Sequence, residues 1–356
     1  SFSTAAAVSS IERRVTSITG QPEPITYYHK EGGIGQAITA IRERKGAPLR
    51  VAVIGLGSGM TAHAVAAFPL REIEVLEIEP TMAKVTEFFK DKNGKVLEDP
   101  RVRLIPTDGR NYIVASPKLY DIIAAEPSNP WIAGIANLYT REFYEIVKAK
   151  LKDDGIFAQW FHNYSMSPDD FRMVFHTFVQ AFPHVTLWGM KESDFLLIGT
   201  KQEQIFSYEK LRDVFSKNRV LREDLKDLGL SDVYGVLGFY RMGKKEIIAF
   251  SEGGGLNTDD GAQLEFSAPR SLRRSTSDLN RRLMESFLVD APWLKSEPVP
   301  FSEAMRHFYL GEAYEASAWH SRALAEVDRA IQLDPSNPDF YVLKTKILLE
   351  QDKSAE

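Results

Sequence analysis

Residues 51–68 read VAVIGLGSGMTAHAVAAF. An apolar run ends on three glycines spaced two apart, Gly55, Gly57 and Gly59, and a helical pattern follows at once. Near-continuous Val and Ile suit a strand buried on both faces beneath helices. Glycines at such a turn adopt backbone conformations closed to other residues, and they let amide N–H groups approach a ligand at the helix N-terminus. A GxGxG turn alone is a weak signature, since dinucleotide enzymes use a similar one. No phosphate-binding lysine follows the glycines, which disfavours a nucleoside triphosphate.

Outward from this turn the unit repeats. Short apolar runs at 50–56, 72–78, 102–106, 120–126, 155–161, 185–190 and 194–200 alternate with helical patterns. In LYTREFYEIVKAKL (138–151), Leu138, Phe143, Ile146, Val147 and Leu151 share one helical face, and Gly155 in KDDG reads as its stop. Repeated strand–helix units predict an α/β fold: a doubly wound, mostly parallel sheet of seven strands.

Three polar stations stand at successive strand ends. The second strand closes VLEIEP, putting Glu77 about twenty residues beyond the glycines, where a carboxylate accepts two hydrogen bonds from ribose hydroxyls. The third is followed by PTDGRNY, where Asp108 and Gly109 could meet an adenine amino group. The fourth ends IIAAEPSNPW (122–131), with Glu126 where the chain leaves the core. Glu126 is either a cap in an ordinary loop or a catalytic group at a crevice edge, and its place beside the other stations favours the second reading. Together the stations describe an adenosine-type ligand lying across the sheet's switch point.

Composition narrows the field. With 44 basic and 49 acidic side chains the net charge is −5, which gives no electrostatic footprint for nucleic acid. There are no cysteines, so disulfides, thiolate metal sites and cysteine nucleophiles are excluded. Seven histidines show no HExxH or paired spacing, and no metal site is expected. No stretch approaches the ~18 consecutive apolar residues of a membrane span. The chain opens on Ser1 and SFSTAAAVSS is too polar for a signal-peptide core, so a processed chain or a piece of something longer is expected.

The expected division is an N-terminal segment (1–48), the α/β core (49–202), a helical insertion with a closing strand (203–270), a linker (271–300) and C-terminal helices (301–356). In the last, Leu310, Gly311, Tyr314, Ala323, Ala330 and Pro335 fall at the offsets of a tetratricopeptide helix pair, with His307 and Val327 where Trp and Phe are usual. Such a hairpin cannot bury its own face, so docking on the main domain or on a helix beginning near Phe340 is expected. A capping role is favoured over a peptide-binding groove.

The series GxGxG, EIE, DG and a carboxylate–proline turn resembles the class I S-adenosylmethionine-dependent fold, a Rossmann-like methyltransferase architecture. More narrowly, residues 20–200 resemble the spermidine synthase (polyamine aminopropyltransferase) family: TYYHKEGGIGQAI (26–38) is similar to its Tyr-His-Glu segment, and GIFAQW (155–160) to its G-x-x-x-x-Q strand. Likeness is greatest to spermidine-synthase-like domains fused behind membrane helices in bacterial proteins, which share EPSNPW and NTDD…LEF…PR stretches. The resemblance implies decarboxylated S-adenosylmethionine, or S-adenosylmethionine itself, as co-substrate, with no metal. It implies Gly55, Gly57, Ser58, Gly59, Glu77, Asp108 and Gly109 as the cofactor site, and Tyr28, His29, Asn129, Trp131 and Gln159 around a small amine acceptor. It also implies Glu126 as the base that deprotonates that amine. Cofactor supply argues for a cytoplasmic setting, or the cytoplasmic face of a membrane-anchored parent, and a homodimer is a candidate assembly.

Two positions depart from the family pattern. Ser58 stands where the family has an aspartate for the cofactor amine, and Asn129 where it has one for the polyamine. Loss of both charges weakens attraction for a dication in a desolvated pocket. Ser58 with the loop amides suits the carboxylate of intact S-adenosylmethionine as well, so a methyltransferase is the alternative. A non-catalytic nucleoside-binding or assembly module is the third reading. Asp259 and Asp260 of NTDD either line the site or cap a loop, with the loop favoured.

Overall fold

The computed structural model describes residues 48–355 except 69, 192, 204–207, 220, 221, 224, 225, 227 and 292–297, and side chains except 190, 191 and 352–355. Tyr28 and His29, with nearly all of the 1–48 segment, lie outside the described residues.

Each apolar run becomes a strand: β1 (Leu49–Ile54), β2 (Leu70–Glu77), β3 (Val102–Pro106), β4 (Tyr120–Ala125), β5 (Leu151–His162), β6 (His184–Lys191) and β7 (Asp194–Thr200). An eighth, β8 (Tyr240–Gly243), joins them in the order β3-β2-β1-β4-β5-β7-β6-β8. The pairs β3–β2, β2–β1, β1–β4 and β4–β5 are parallel, and β5–β7, β7–β6 and β6–β8 antiparallel. Among the described residues the sheet therefore has eight strands rather than seven. β8 escaped notice because four residues inside a charged helical stretch carry too little period-2 pattern to register.

Between the strands run α1 (Met60–Ala66), α2 (Met82–Glu87), α3 (Gly109–Ala115), α4 (Arg141–Lys150) and α5 (Pro168–Ala181). Thr140 caps α4 by accepting from Phe143 N, and Ser167 caps α5 from Asp170 N, each satisfying an otherwise orphaned donor. Helix α4 passes straight into β5 at Leu151, so Gly155 is not its stop. Instead KDDG bulges out of the strand: Tyr120 opposes Leu151, and the next paired residues are Ile122 and Ile156. The core is aromatic, with Phe157 of β5 stacked 5.8 Å from Phe178 and 5.7 Å from Phe182.

Beyond β7 lie α6 (Tyr208–Lys217), α7 (Tyr234–Leu237), α8 (Lys244–Phe250), α9 (Gln263–Ser267) and α10 (Ser277–Glu285). The closing strand expected near 270 is the short helix α9. Tertiary hydrogen bonds to residues 134–139, described below, override its alternating pattern.

The C-terminal helices α11 (Glu303–Ala316), α12 (His320–Leu333) and α13 (Pro338–Ala355) dock on the main domain and on one another. Ala323, Val327 and Ala330 are buried on α12, and Phe340 packs 5.2 Å from Phe308. The dock turns on Arg241 of β8, which is fully buried. Its guanidinium donates to Gly238 O (2.6 Å), Tyr240 O (3.0 Å) and Ser317 Oγ (2.7 Å) and lies 4.9 Å from the Tyr314 ring centroid. Burial pulls its pKa down to about 10.

Candidate active site

The strand order reverses between β1 and β4, so the C-terminal ends of β2, β1, β4 and β5 open one crevice. The glycine turn forms its floor. Gly55 has φ +95°, and a Cβ there would stand 2.5 Å from Glu126 O, so only glycine lets β1 and β4 close together at this level. Gly59, at φ +82°, caps α1, and its Cβ would meet Thr86 Cγ2 at 2.9 Å. The turn is fastened from outside: Thr86 Oγ1 donates to Gly57 O (2.9 Å) and Asn93 Nδ2 to Ser58 O (2.8 Å). Neither anchor stood out in the sequence, because each acts across a distance that no local motif encodes.

Around this floor stand the residues expected to meet a nucleoside. Glu77 is 8% exposed; Oε2 accepts from Leu56 N in the glycine turn (2.8 Å) and Oε1 from Glu79 N (2.9 Å). Each oxygen keeps a lone pair, so the carboxylate can still accept from a diol. Ser58 is buried and its Oγ has no hydrogen-bond partner among the described residues. Asp108 is exposed and caps α3 by accepting from Asn111 N (2.8 Å), two residues past Pro106, which pairs with Glu77. Gly109 packs against the end of β1, where a Cβ would fall 2.7 Å from Ile54 Cγ2. Ile78, 67% exposed between Glu77 and Glu79, adds an apolar platform that the motif reading passed over. An exposed large apolar residue was its only sequence signal, and single ones are common. The residues present fit an adenosine-type ligand: a glycine cradle, a buried hydroxyl awaiting a partner and two carboxylates in line.

Glu126 follows directly. Its N–H donates to Ile54 O (2.9 Å), and its partly buried carboxylate accepts from the hydroxyl of Thr61, in the first turn of α1. Burial pushes its pKa up, and the Thr61 bond partly offsets that rise. A carboxylate held this way is a stronger base than one in water. Thr61 was absent from the sequence reading, though a hydroxyl one turn past the glycines was visible in GSGMT.

On the far side of Glu126 the chain turns through Pro127 and Pro130 into an aromatic group. Trp131 stands edge-on to His162 (4.9 Å between centroids) and Tyr164 (5.9 Å), and His162 stacks on Tyr164 at 4.1 Å. Asn129 Nδ2 donates to Tyr164 Oη (3.0 Å). Burial holds the His162 pKa down at about 3, so the ring is neutral. Nδ1 donates to Tyr164 O (3.0 Å), which leaves Nε2 a lone pair with no partner among the described residues. Asp194, buried on β7 opposite His162, is an acid at this end that looked like a plain strand start in the sequence. Side chains alternate along β5, so Gln159 points to the face opposite Trp160 and His162, where Nε2 donates back to Trp160 O (3.1 Å). The structure thus gathers Asn129 and Trp131 with His162 and Tyr164, and sets Gln159 apart from them. Asp259 pairs with Arg110 of α3, while Asp260 is exposed in the same loop.

Sheet order, glycine turn and strand-end acids define a doubly wound α/β domain of the Rossmann-like methyltransferase fold. Within it, residues 39–189 match the family model of the spermine/spermidine synthase domain. The polyamine aminopropyltransferase of Korarchaeum cryptofilum is 26% identical over 136 residues, covering 38% of this chain and 42% of that one. That of Clostridium perfringens is 33% identical over 107 residues, 30% and 38% of the two chains. The chain therefore spans half or less of the length of these curated relatives. Among solved structures, spermidine synthase from Thermotoga maritima overlays with a TM-score of 0.40 at 18% identity, covering 58% of this chain and 75% of that one. Human methyltransferase-like protein 13 overlays at 0.42 and 20%, covering 56% and 92%.

Proposed function

We propose that this chain is a spermidine-synthase-like transferase that alkylates a small amine with the aminopropyl group of decarboxylated S-adenosylmethionine. The observation that carries the proposal is Glu126, a carboxylate of raised pKa set between the glycine turn and the aromatic group. An amine protonated with a pKa of about 10 has no free lone pair, so it must lose a proton before it attacks. Glu126 would orient the ammonium, and accept that proton as the nitrogen bonds to the carbon beside the sulfonium. The carbon–sulfur bond breaks and its electron pair stays on sulfur, giving methylthioadenosine. Glu77 and Asp108 would hold the ribose and adenine, and Trp131, Asn129, His162 and Tyr164 the acceptor. Tyr28 and His29 remain acceptor-side candidates from the motif resemblance, whereas Gln159 faces away from that group. Cofactor supply favours a cytoplasmic setting, and no described helix is long and apolar enough to cross a membrane.

The test is methylthioadenosine release when the protein is given decarboxylated S-adenosylmethionine and a panel of amines. Release that depends on an amine and vanishes in Glu126→Gln supports the proposal, and no release with any amine sinks it. A second reading rests on Ser58, whose buried hydroxyl, unpaired among the described residues and beside the loop amides, also suits a carboxylate. Calorimetric binding of intact S-adenosylmethionine alone, with none of the decarboxylated form, favours methyl transfer instead.

A further inference from the structure

The stretch NTDDGAQLEF (257–266) has no part in the chemistry above, yet it is fastened to the chain segment that carries Trp131. Asn257 is fully buried. Its Nδ2 donates to Ala136 O (3.3 Å) and Tyr139 O (3.1 Å), and its Oδ1 accepts from Leu264 N (3.2 Å). Arg141 N donates to its carbonyl (2.9 Å). Two residues on, Asp259 pairs with Arg110, which also donates to Asn137 O (2.8 Å). Helix α9 therefore starts from a platform locked to residues 136–141.

From that platform Glu265 reaches Gly134. Oε1 accepts from Gly134 N (2.9 Å) across 131 residues of sequence, and Oε2 is buried with no partner among the described residues. Burying a carboxylate oxygen unpaired is costly, a cost that a glutamate placed only for solubility does not carry. Gly134 lies in the second of two successive turns that share Ile132, made by Ile132 N to Asn129 O (3.0 Å) and Ile135 N to Ile132 O (3.0 Å). Its φ of +85° is in the left-handed region. Trp131 rides in the first of these turns, between Pro130 and Ile132.

We infer that Glu265 is a positioning residue for the acceptor side of the crevice: by holding Gly134 N–H it fixes the 129–135 turns, and so the Trp131 ring against His162 and Tyr164. The kinetic part of this role rests on the proposed amine transfer, and its geometric part does not.

The experiment compares Glu265→Ala and Glu265→Gln, each with and without Trp131→Phe. In Glu265→Ala, kcat/KM for the amine falls roughly tenfold through KM, the scale of one lost charge-assisted hydrogen bond. Affinity for methylthioadenosine stays within about twofold, because the glycine turn is untouched. The Trp131 fluorescence component, parent minus Trp131→Phe, shifts to the red. Glu265→Gln restores both readouts, since its amide oxygen still accepts from Gly134 N–H. An unmoved Trp131 component in Glu265→Ala overturns the inference, as does failure of the Gln variant to rescue. Equal loss of amine and methylthioadenosine binding also overturns it. If no amine yields methylthioadenosine, the transfer reading fails and the Trp131 component alone decides the role of Glu265.

Discussion

Two glutamates of the same sheet have opposite surroundings. Glu74, inside β2, is fully buried and accepts from Lys118 Nζ (2.6 Å), Tyr120 Oη (2.7 Å) and Tyr112 Oη (2.9 Å), with Arg103 also paired to it. Burial alone would raise its pKa, but the Lys118, Tyr120 and Tyr112 bonds and the Lys118 charge outweigh it, and the net shift is down. Glu126, just past the end of β4, has one hydroxyl partner among the described residues, and burial wins. Surrounding a carboxylate with cations makes a structural tie that gives up no proton affinity to chemistry. Giving it one neutral donor leaves a base in waiting, at a cost in stability.

The largest expected effect comes from breaking the second arrangement. Glu126→Gln should lower kcat for methylthioadenosine release by about 10²–10⁴, the range of general base catalysis, while the thermal midpoint holds or rises. The sign follows from linkage: a carboxyl whose folded pKa is raised contributes most below its unfolded value, and that contribution is lost as pH climbs through the shifted one. A neutral isostere escapes that loss. A drop in the midpoint would count against Glu126 as a strained group.

Glu74→Ala should do the reverse. Urea unfolding should show a loss of about 3 kcal/mol, as expected when one partner of a buried ion-pair network is removed, while turnover per folded molecule is kept. Because the Glu74 pKa is lowered, its stabilisation is present above the unfolded carboxyl value and fades as pH falls through the folded one. A smaller effect should follow Thr61→Val. Loss of the hydroxyl removes the bond that restrains Glu126, so the acid limb of kcat/KM should move to higher pH with a fall of a few fold. An unmoved limb would mean that Glu126 is not the titrating base. Smallest should be the pH response through His162. Its pKa is held at about 3, so the unfolded chain binds a proton that the native one refuses, and stability should decline as pH drops from about 6.5 toward 3. His162→Gln should flatten that decline.

The contrast was only half legible in the sequence. Glu126 announced itself by breaking an apolar run before two prolines, and Gly55 and Glu77 by their spacing from β1. Glu74 could not be read, because in EIEVLEI it is one more polar residue in an alternating strand and its partners come from β3, α3, β4 and the loop before it. Thr61, Thr86, Asn93 and His162 were missed for the same reason: each acts on a segment distant in the chain. The eighth strand and helix α9 went wrong where the segments are too short for periodicity to outweigh tertiary hydrogen bonds.

The places of seven strands along the chain, the glycine turn and the acids at the strand ends were fixed by local pattern, since buried parallel strands and tight turns each demand a narrow set of residues. Protonation was not. Whether a carboxylate is a tie or a base depends on which donors the fold brings within about 3 Å of it, and those donors sit tens of residues away. The sequence therefore said where Glu126 stands, and the tertiary structure decided what it is able to do there.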